Sequence, residues 1–240
     1  MVEAFAWGAL GASALLVGAL ISYQLAPTRQ VIAVVMALGS GLLIGSVSFE
    51  LVDEALKTQT VAWVGLLVLA GAAVFTVGDW LLERRGGGDR KDPSGAQAAG
   101  SPLAIVLGSV LDGIPESFVL GLTVLQGGVS LSLLAGIALS NLPEGMSSSS
   151  GLKAAGWPRG RVVAMWLIVI AVSALSAVAG YVVLDPSSGQ PGALVQGFAA
   201  GALLAMLADT LLPEAYDVEG VLTGPLVVAG FAASIALSAV

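Results

Sequence analysis

Eight apolar segments, each long enough to cross a lipid bilayer, constrain this chain more than any other feature. A hydrocarbon core about 30 Å thick needs about 20 apolar residues per helix. That length is reached by residues 4–25, 31–56, 61–82, 102–125, 129–152, 162–184, 192–216 and 220–240. None of these segments sustains the polar–apolar alternation of a barrel strand. The pattern predicts an all-α polytopic membrane protein with eight transmembrane helices, in which residues 1–240 form a single transmembrane domain.

The composition supports a membrane protein and excludes several functional classes. Only 10% of the residues are charged, whereas a soluble domain carries about 25%. The net charge of −7 disfavours nucleic acid as a partner. The chain contains neither cysteine nor histidine, which excludes disulfides, thiolate catalysis and imidazole metal ligands.

The basic residues predict an orientation. Eight of the nine lysines and arginines lie in the breaks after the first, third and fifth segments, and the exception is Lys57. Because cytoplasmic loops are enriched in basic residues, we expect these breaks to face the cytoplasm and both termini to be extracytoplasmic. The predicted location is the plasma (inner) membrane. The longest break, residues 83–101, is rich in Gly, Ser and charge, which predicts a flexible cytoplasmic loop.

Two internal repeats join segments that the predicted topology makes antiparallel. Residues 41–55, GLLIGSVSFELVDEA, align with residues 201–215, GALLAMLADTLLPEA. Residues 112–117, DGIPES, align with residues 140–145, SNLPEG. Repeats of opposite orientation are typical of secondary transporters, which bind substrate near the membrane midplane at the repeat interface. The sequence therefore predicts inverted-repeat character.

The second repeat places acidic side chains deep in the bilayer. Asp112 and Glu116 are four residues apart and share one helix face, as do Ser140 and Glu144. Asn141 lies three residues before Glu144. At 1.5 Å per residue, the set lies roughly 15–23 Å from where its helices begin. A charge at that depth costs at least ~2.5–3.5 kcal/mol, so these side chains need compensation.

A divalent cation held between the fourth and fifth segments would supply that compensation. Pro115 and Pro143 lack an N–H group, so they leave the carbonyls of Leu111 and Leu139 without their helical donors. An alternative stays open at this point. The acids can instead be protonated, or hydrogen-bonded to Ser109, Ser117 or Ser140, without binding an ion.

These motifs resemble those of the Zrt/Irt-like protein (ZIP) family of divalent metal transporters. Members have eight spans, extracytoplasmic termini and a long cytoplasmic loop between the third and fourth spans. Their fourth and fifth spans carry motifs of the form H-N-x-P-E-G, which DGIPES and SNLPEG resemble. The LLPEA of residues 211–215 and the ELVDEA of residues 50–55 are similar to the ends of the family's seventh and second spans.

The resemblance implies a set of metal ligands and a substrate class. It assigns Asp112, Glu116, Ser140, Asn141 and Glu144 to the metal. The paired position Gly113 has no side chain, and the sixth span has no acid, so we expect one metal site. An all-oxygen set suits Mn²⁺, Mg²⁺ or Ca²⁺, accepts Fe²⁺ and does not exclude Zn²⁺. The ion is the substrate, and no organic cofactor is expected.

The sequence predicts a secondary transporter that takes up divalent metal cations such as Zn²⁺, Mn²⁺ or Fe²⁺, and not an enzyme. Glu50 and Asp209 are candidate transit sites near the two ends of the path. Two rival hypotheses stay open. One is a non-transporting homologue that senses metal or scaffolds a partner, and the other is an intramembrane hydrolase. The expected partners are metal cations and the lipid bilayer, and a homodimer is compatible with the sequence.

Overall fold

Helices and turns make up the part of the chain that the computed structural model describes, which comprises residues 1–84, 102–125, 128–183 and 190–238. No strand occurs in these ranges, which confirms the all-helical prediction. The α-helices are α1 (Val2–Leu25), α2 (Arg29–Ser46), α3 (Asp53–Leu56), α4 (Val61–Leu82), α5 (Pro102–Leu125), α6 (Leu131–Ala154), α7 (Arg159–Val183), α8 (Gln190–Met206), α9 (Leu212–Glu219) and α10 (Thr223–Ser238). The predicted loop at 83–101 lies outside the described residues apart from 83 and 84.

Six helical stretches in the described ranges are long and apolar enough to cross a membrane. They are Val2–Leu25, Arg29–Leu56, Val61–Leu82, Ile105–Leu125, Arg159–Val182 and Gly192–Ser238. An integral membrane protein has this composition. Helix α6 is missing from the set because its serines, Asn141 and Glu144 lower its hydropathy. The last stretch, Gly192–Ser238, counts as one of the six, although its 47 residues would extend about 70 Å as a single helix. Eight spans therefore stay a prediction for α6 and for the stretch Gly192–Ser238.

The chain bends inside this long stretch, at Gly220. Helix α9 ends at Glu219, and Gly220 adopts a positive φ of 58° with ψ −129°. Glycine reaches this backbone conformation without the steric cost that a Cβ would impose. A 3₁₀ turn, Gly220–Leu222, then leads into α10. The bend separates α10 from the helix that begins at α8.

Four pairs of helices pack in parallel. Residue numbers rise together along both members of each pair, so both members run in the same direction. The neighbouring residues are Gly41–Val227 and Gly45–Ser234 for α2 with α10, Leu67–Gly197 and Gly71–Ala202 for α4 with α8, Gly11–Asn141 and Tyr23–Lys153 for α1 with α6, and Gly113–Ser173 and Gly121–Ala177 for α5 with α7. By contrast, α2 and α6 run antiparallel, since Gly39 lies beside Leu139 while Ser46 contacts Ser132.

The aligned segments 41–55 and 201–215 share a backbone irregularity. Helix α2 continues into a π-helical segment, Val47–Val52, and α8 continues into another, Leu207–Leu211. The two segments begin 160 residues apart, which is the offset of the sequence alignment. The packing follows the same offset, because Gly230 lies against the carbonyl of Leu38 and Gly71 lies against that of Phe198.

Candidate metal site

Both motif prolines lie inside continuous helices. Pro115 is within α5 and Pro143 is within α6, so each leaves one carbonyl without its helical donor. The carbonyl oxygen of Leu139 lies against Gly39 of α2, where a Cβ would come within 2.6 Å of it. The absence of a side chain at Gly39 therefore allows α2 to cover this carbonyl. The Leu139 carbonyl therefore lies at the contact between α6 and α2.

The five predicted site residues are all buried. Their exposed fractions are between 2% and 4%, for Asp112, Glu116, Ser140, Asn141 and Glu144. A lipid-facing side chain in this bundle is instead largely exposed, as Leu69 is at 68%. The acids therefore face the protein interior, which is the expected placement for ionisable groups in a membrane helix.

Two hydrogen bonds connect α5 and α6 at the level of the acids. Ser109 of α5 donates to Oε1 of Glu144 on α6, at 2.7 Å. Ser140 of α6 donates to Oε1 of Glu116 on α5, at 3.0 Å, and shares that proton with the carbonyl of Ile137 in its own helix, at 2.9 Å. Each helix thus contributes one serine and one glutamate to a reciprocal pair. The serine–acid bonding that the sequence left open as an alternative is present.

Asn141 connects this layer to a third helix. Its Nδ2 donates to the carbonyl of Gly11 on α1, at 3.3 Å. The amide nitrogen is therefore occupied by the protein backbone. The side-chain oxygen is the atom of Asn141 with the chemistry of a metal ligand.

The acids are close but do not form a preformed metal cluster. Ser140, the partner of Glu116, is one helical turn before Glu144, so the two glutamates lie in neighbouring layers about 5–6 Å apart along the helix. In the described ranges, however, no three acidic side chains converge in a geometry that holds a metal ion.

Ser173 is a neighbour of the site that sequence reasoning missed. A Cβ at Gly113 would come within 2.9 Å of the Ser173 hydroxyl on α7, and Ser173 is 1% exposed. The hydroxyl occupies the space where the ZIP motif has a side chain at the Gly113 position. Only the glycine at 113 signals the close approach, and no sequence signal identifies Ser173 as the residue that makes it.

The serines that follow the site on α6 mostly join other helices. Trp166 Nε1 of α7 donates to Ser149 at 2.9 Å, and Ser150 donates to Ser22 of α1 at 3.2 Å. Ser147 is fully buried, and its hydroxyl has no hydrogen-bond partner in the described part of the chain. Ser149 and Ser150 therefore stabilise the packing of α6.

A cavity of about 750 Å³ lies at the end of the bundle where α6 begins, and Glu50 and Glu54 line it together with Ser130. The Glu50 carboxylate lies beside the hydroxyls of Ser130, Ser132 and Ser238. At its rim, Glu54 accepts a hydrogen bond from Lys57 at 2.6 Å and raises the pKa of that lysine. Glu50 therefore lines the cavity at this end of the bundle, and its role as a transit residue stays a prediction.

Asp209 lies elsewhere. It is exposed in the π-helical segment after α8 and accepts a hydrogen bond from Thr76 of α4 at 3.1 Å. It does not line the cavity of Glu50. Its role as a transit residue stays a prediction.

Comparison with known proteins adds no assignment, because no protein-family model matches the chain and no curated protein matches it. The resemblance to the ZIP family depends on the motifs and their placement in the helices.

Proposed function

We propose that this protein is a secondary transporter of divalent metal cations and a histidine-free relative of the ZIP family. The observation that carries the proposal is the reciprocal pair of serine–glutamate hydrogen bonds between α5 and α6. It brings two proline-containing, acid-bearing helices together in the interior of an apolar bundle. Acids so placed are costly in lipid and typically mark ion or substrate pathways.

Eight membrane crossings form part of this proposal. The hydrophobic cluster of Ala55, Val64 and Ala193, with Val52 and Val68 packed against it, supports an antiparallel arrangement of α4 and the helical stretch Arg29–Leu56 that α2 begins. Since α10 runs parallel to α2 and α8 runs parallel to α4, the stretch Gly192–Ser238 then crosses twice. Helix α6 runs alongside α1 over most of its length, so it crosses as well despite its polar residues.

An inverted repeat is a second part of the proposal. In this repeat, α2 corresponds to α8 and α10 corresponds to α4, so the pair α2–α10 corresponds to the pair α8–α4. Likewise, α1 corresponds to α7 and α6 corresponds to α5, so the pair α1–α6 corresponds to the pair α7–α5. The shared position of the two π-helical segments supports this relation, and such symmetry allows a transporter to alternate between two related conformations.

In the proposed path, a cation passes Glu50 and reaches the layer of Glu116 and Glu144. The hydroxyls of Ser109 and Ser140 donate to these carboxylates without the ion. When the ion arrives, the hydroxyls rotate and present their oxygens to it, and Asp112 and Asn141 Oδ1 complete the ligand set. The oxygen-only set suits Mn²⁺ and Fe²⁺ and also accepts Zn²⁺.

Uptake into proteoliposomes tests the proposal. Wild type, Glu144→Gln and Asp112→Ala would be compared for Mn²⁺, Fe²⁺, Zn²⁺, Cd²⁺ and Mg²⁺. Glu83→Gln, an exposed acid after α4, is the matched control. We expect uptake of at least one ion by wild type and control, and a loss of at least about tenfold in both site variants. Undiminished flux of every ion in both variants would refute the site.

A metal-sensing homologue without transport activity is the second candidate. It is favoured by the absence of a preformed cluster of three acids in the described ranges. Equilibrium binding of the same ions distinguishes it. Binding that depends on Glu144, without flux in the same liposomes, would identify a sensor.

A further inference from the structure

The opposite end of the bundle from the cavity of Glu50 contains a second cavity, of about 470 Å³, between α1, α2 and α6. We propose that this cavity binds the phosphate group of an anionic molecule. Its lining includes Arg29 and Lys153 and the hydroxyl residues Ser22 and Ser150, and no acid among the described residues. Two basic side chains around one cavity are notable in a chain whose net charge is −7.

Lys153 is held at this cavity by backbone carbonyls. Its Nζ donates to the carbonyl oxygens of Ser22 at 3.3 Å and Tyr23 at 3.2 Å, near the end of α1. Carbonyls orient the ammonium group but do not neutralise it. A lysine has three N–H donors, so one remains for a phosphate oxygen.

Arg29 supplies a second positive charge at the first residue of α2. The amide groups at the beginning of this 18-residue helix add the partial positive charge of a helix N-terminus, where phosphates bind readily. Lys57 and Glu54 form an ion pair, and none within the described residues involves Arg29 or Lys153. Neither basic residue of the cavity is therefore neutralised by an acid in that part of the chain.

The surroundings place this cavity at the height of lipid headgroups. Tyr23 donates from its hydroxyl to the carbonyl of Trp157 at 2.8 Å, and Arg161 stacks 4.0 Å from the Trp157 ring centroid. Tyrosine and tryptophan concentrate at membrane–water interfaces. Basic pockets between membrane helices at the cytoplasmic side bind anionic headgroups. The phosphate can therefore come from a phospholipid or from free phosphate in solution.

Binding of phospholipid or phosphate, measured by native mass spectrometry, tests this site. The delipidated full chain would be titrated with short-chain phosphatidylglycerol, short-chain phosphatidylcholine or inorganic phosphate. We expect Arg29→Gln and Lys153→Gln each to weaken phosphatidylglycerol binding at least about tenfold, since each removes a charge-assisted hydrogen bond. Arg159→Gln removes a charge at the same end outside the cavity and should bind like wild type.

The outcomes separate the sources of the phosphate. Preference for phosphatidylglycerol supports a lipid headgroup, and equal or tighter binding of inorganic phosphate supports a soluble anion. Binding that neither cavity variant changes, or that Arg159→Gln weakens equally, would overturn the proposal. Arg29 is exposed, so its variant should fold even if Lys153→Gln does not. The readout is independent of metal transport.

Discussion

Ser140 of α6 donates a hydrogen bond to Glu116 of α5, with 3.0 Å between Oγ and Oε1. A bond of the opposite sense, from Ser109 of α5 to Glu144 of α6, joins the same two helices at 2.7 Å. Each acid is thus bonded by a hydroxyl from the facing helix. This reciprocal arrangement aligns the two motif-bearing helices and brings their acids to one interior region.

Loss of either serine should destabilise the bundle. Ser140→Ala or Ser109→Ala removes the donor and leaves a buried carboxylate oxygen without it, which costs about 1–3 kcal/mol. Ser13→Ala is a matched control, because within the described residues the Ser13 hydroxyl bonds only to the carbonyl of Leu10 in its own helix. Its effect should stay within about 0.5 kcal/mol. Denaturant unfolding in detergent measures all three, and equal stability of Ser140→Ala and Ser13→Ala would contradict the proposed arrangement.

A pair of introduced cysteines should cross-link α2 to α6. The Oγ atoms of Ser46 and Ser132 lie 2.7 Å apart, so cysteine side chains at these positions would point toward each other, as a disulfide requires. The chain has no cysteine of its own, which removes background reactions. We expect Ser46→Cys with Ser132→Cys to form the bond on mild oxidation, detected by intact mass.

The matched control for the cross-link is the pair Ser48→Cys with Ser132→Cys. Ser48 lies in the π-helical segment that follows α2, and its hydroxyl bonds to the carbonyl of Ile44 instead of a residue of α6. Equal cross-linking of both pairs would show that α2 and α6 are not held in this register.

Labelling of single cysteines should reveal eight crossings. Val221 is 81% exposed beside the bend at Gly220, and the proposed topology puts it on the same side as Ala155 and opposite to Thr58. Val221→Cys and Ala155→Cys should therefore react with a membrane-impermeant maleimide from one side, and Thr58→Cys from the other. If Gly192–Ser238 crossed only once, Val221→Cys would be protected within the bilayer.

Close packing of α2 with α10 predicts a large difference between two glycine substitutions. A Cβ at Gly41 would overlap the carbonyl oxygen of Val227, whereas a Cβ at Gly65 meets no atom within 4 Å. Gly41→Ala should cost roughly 1–3 kcal/mol through overpacking. Gly65→Ala should be neutral or stabilise by up to about 1 kcal/mol, because alanine is the better helix former. Thermal unfolding of both variants checks this, and similar melting temperatures would exclude the tight pairing.

The inward orientation of the acids was predictable from the sequence. Helical spacing places Asp112 and Glu116 on one face and Ser140 and Glu144 on another, and the cost of charge in lipid requires both faces to point inward. The partners were not predictable. Neither the bond from Asn141 to Gly11, across 130 residues, nor the approach of Ser173 to Gly113 has a local pattern, because both arise from helix packing.

The chain's own residues determined its helices, their apolar length and the faces that carry acids, since these properties follow from local spacing and the thickness of a bilayer. Only the tertiary structure decided which helices pair, how Gly39 covers the Leu139 carbonyl, and which hydroxyl reaches which carboxylate. Those contacts depend on side-chain shape across distant segments, because lipid and leucine are equally apolar and hydropathy alone does not select a helix partner.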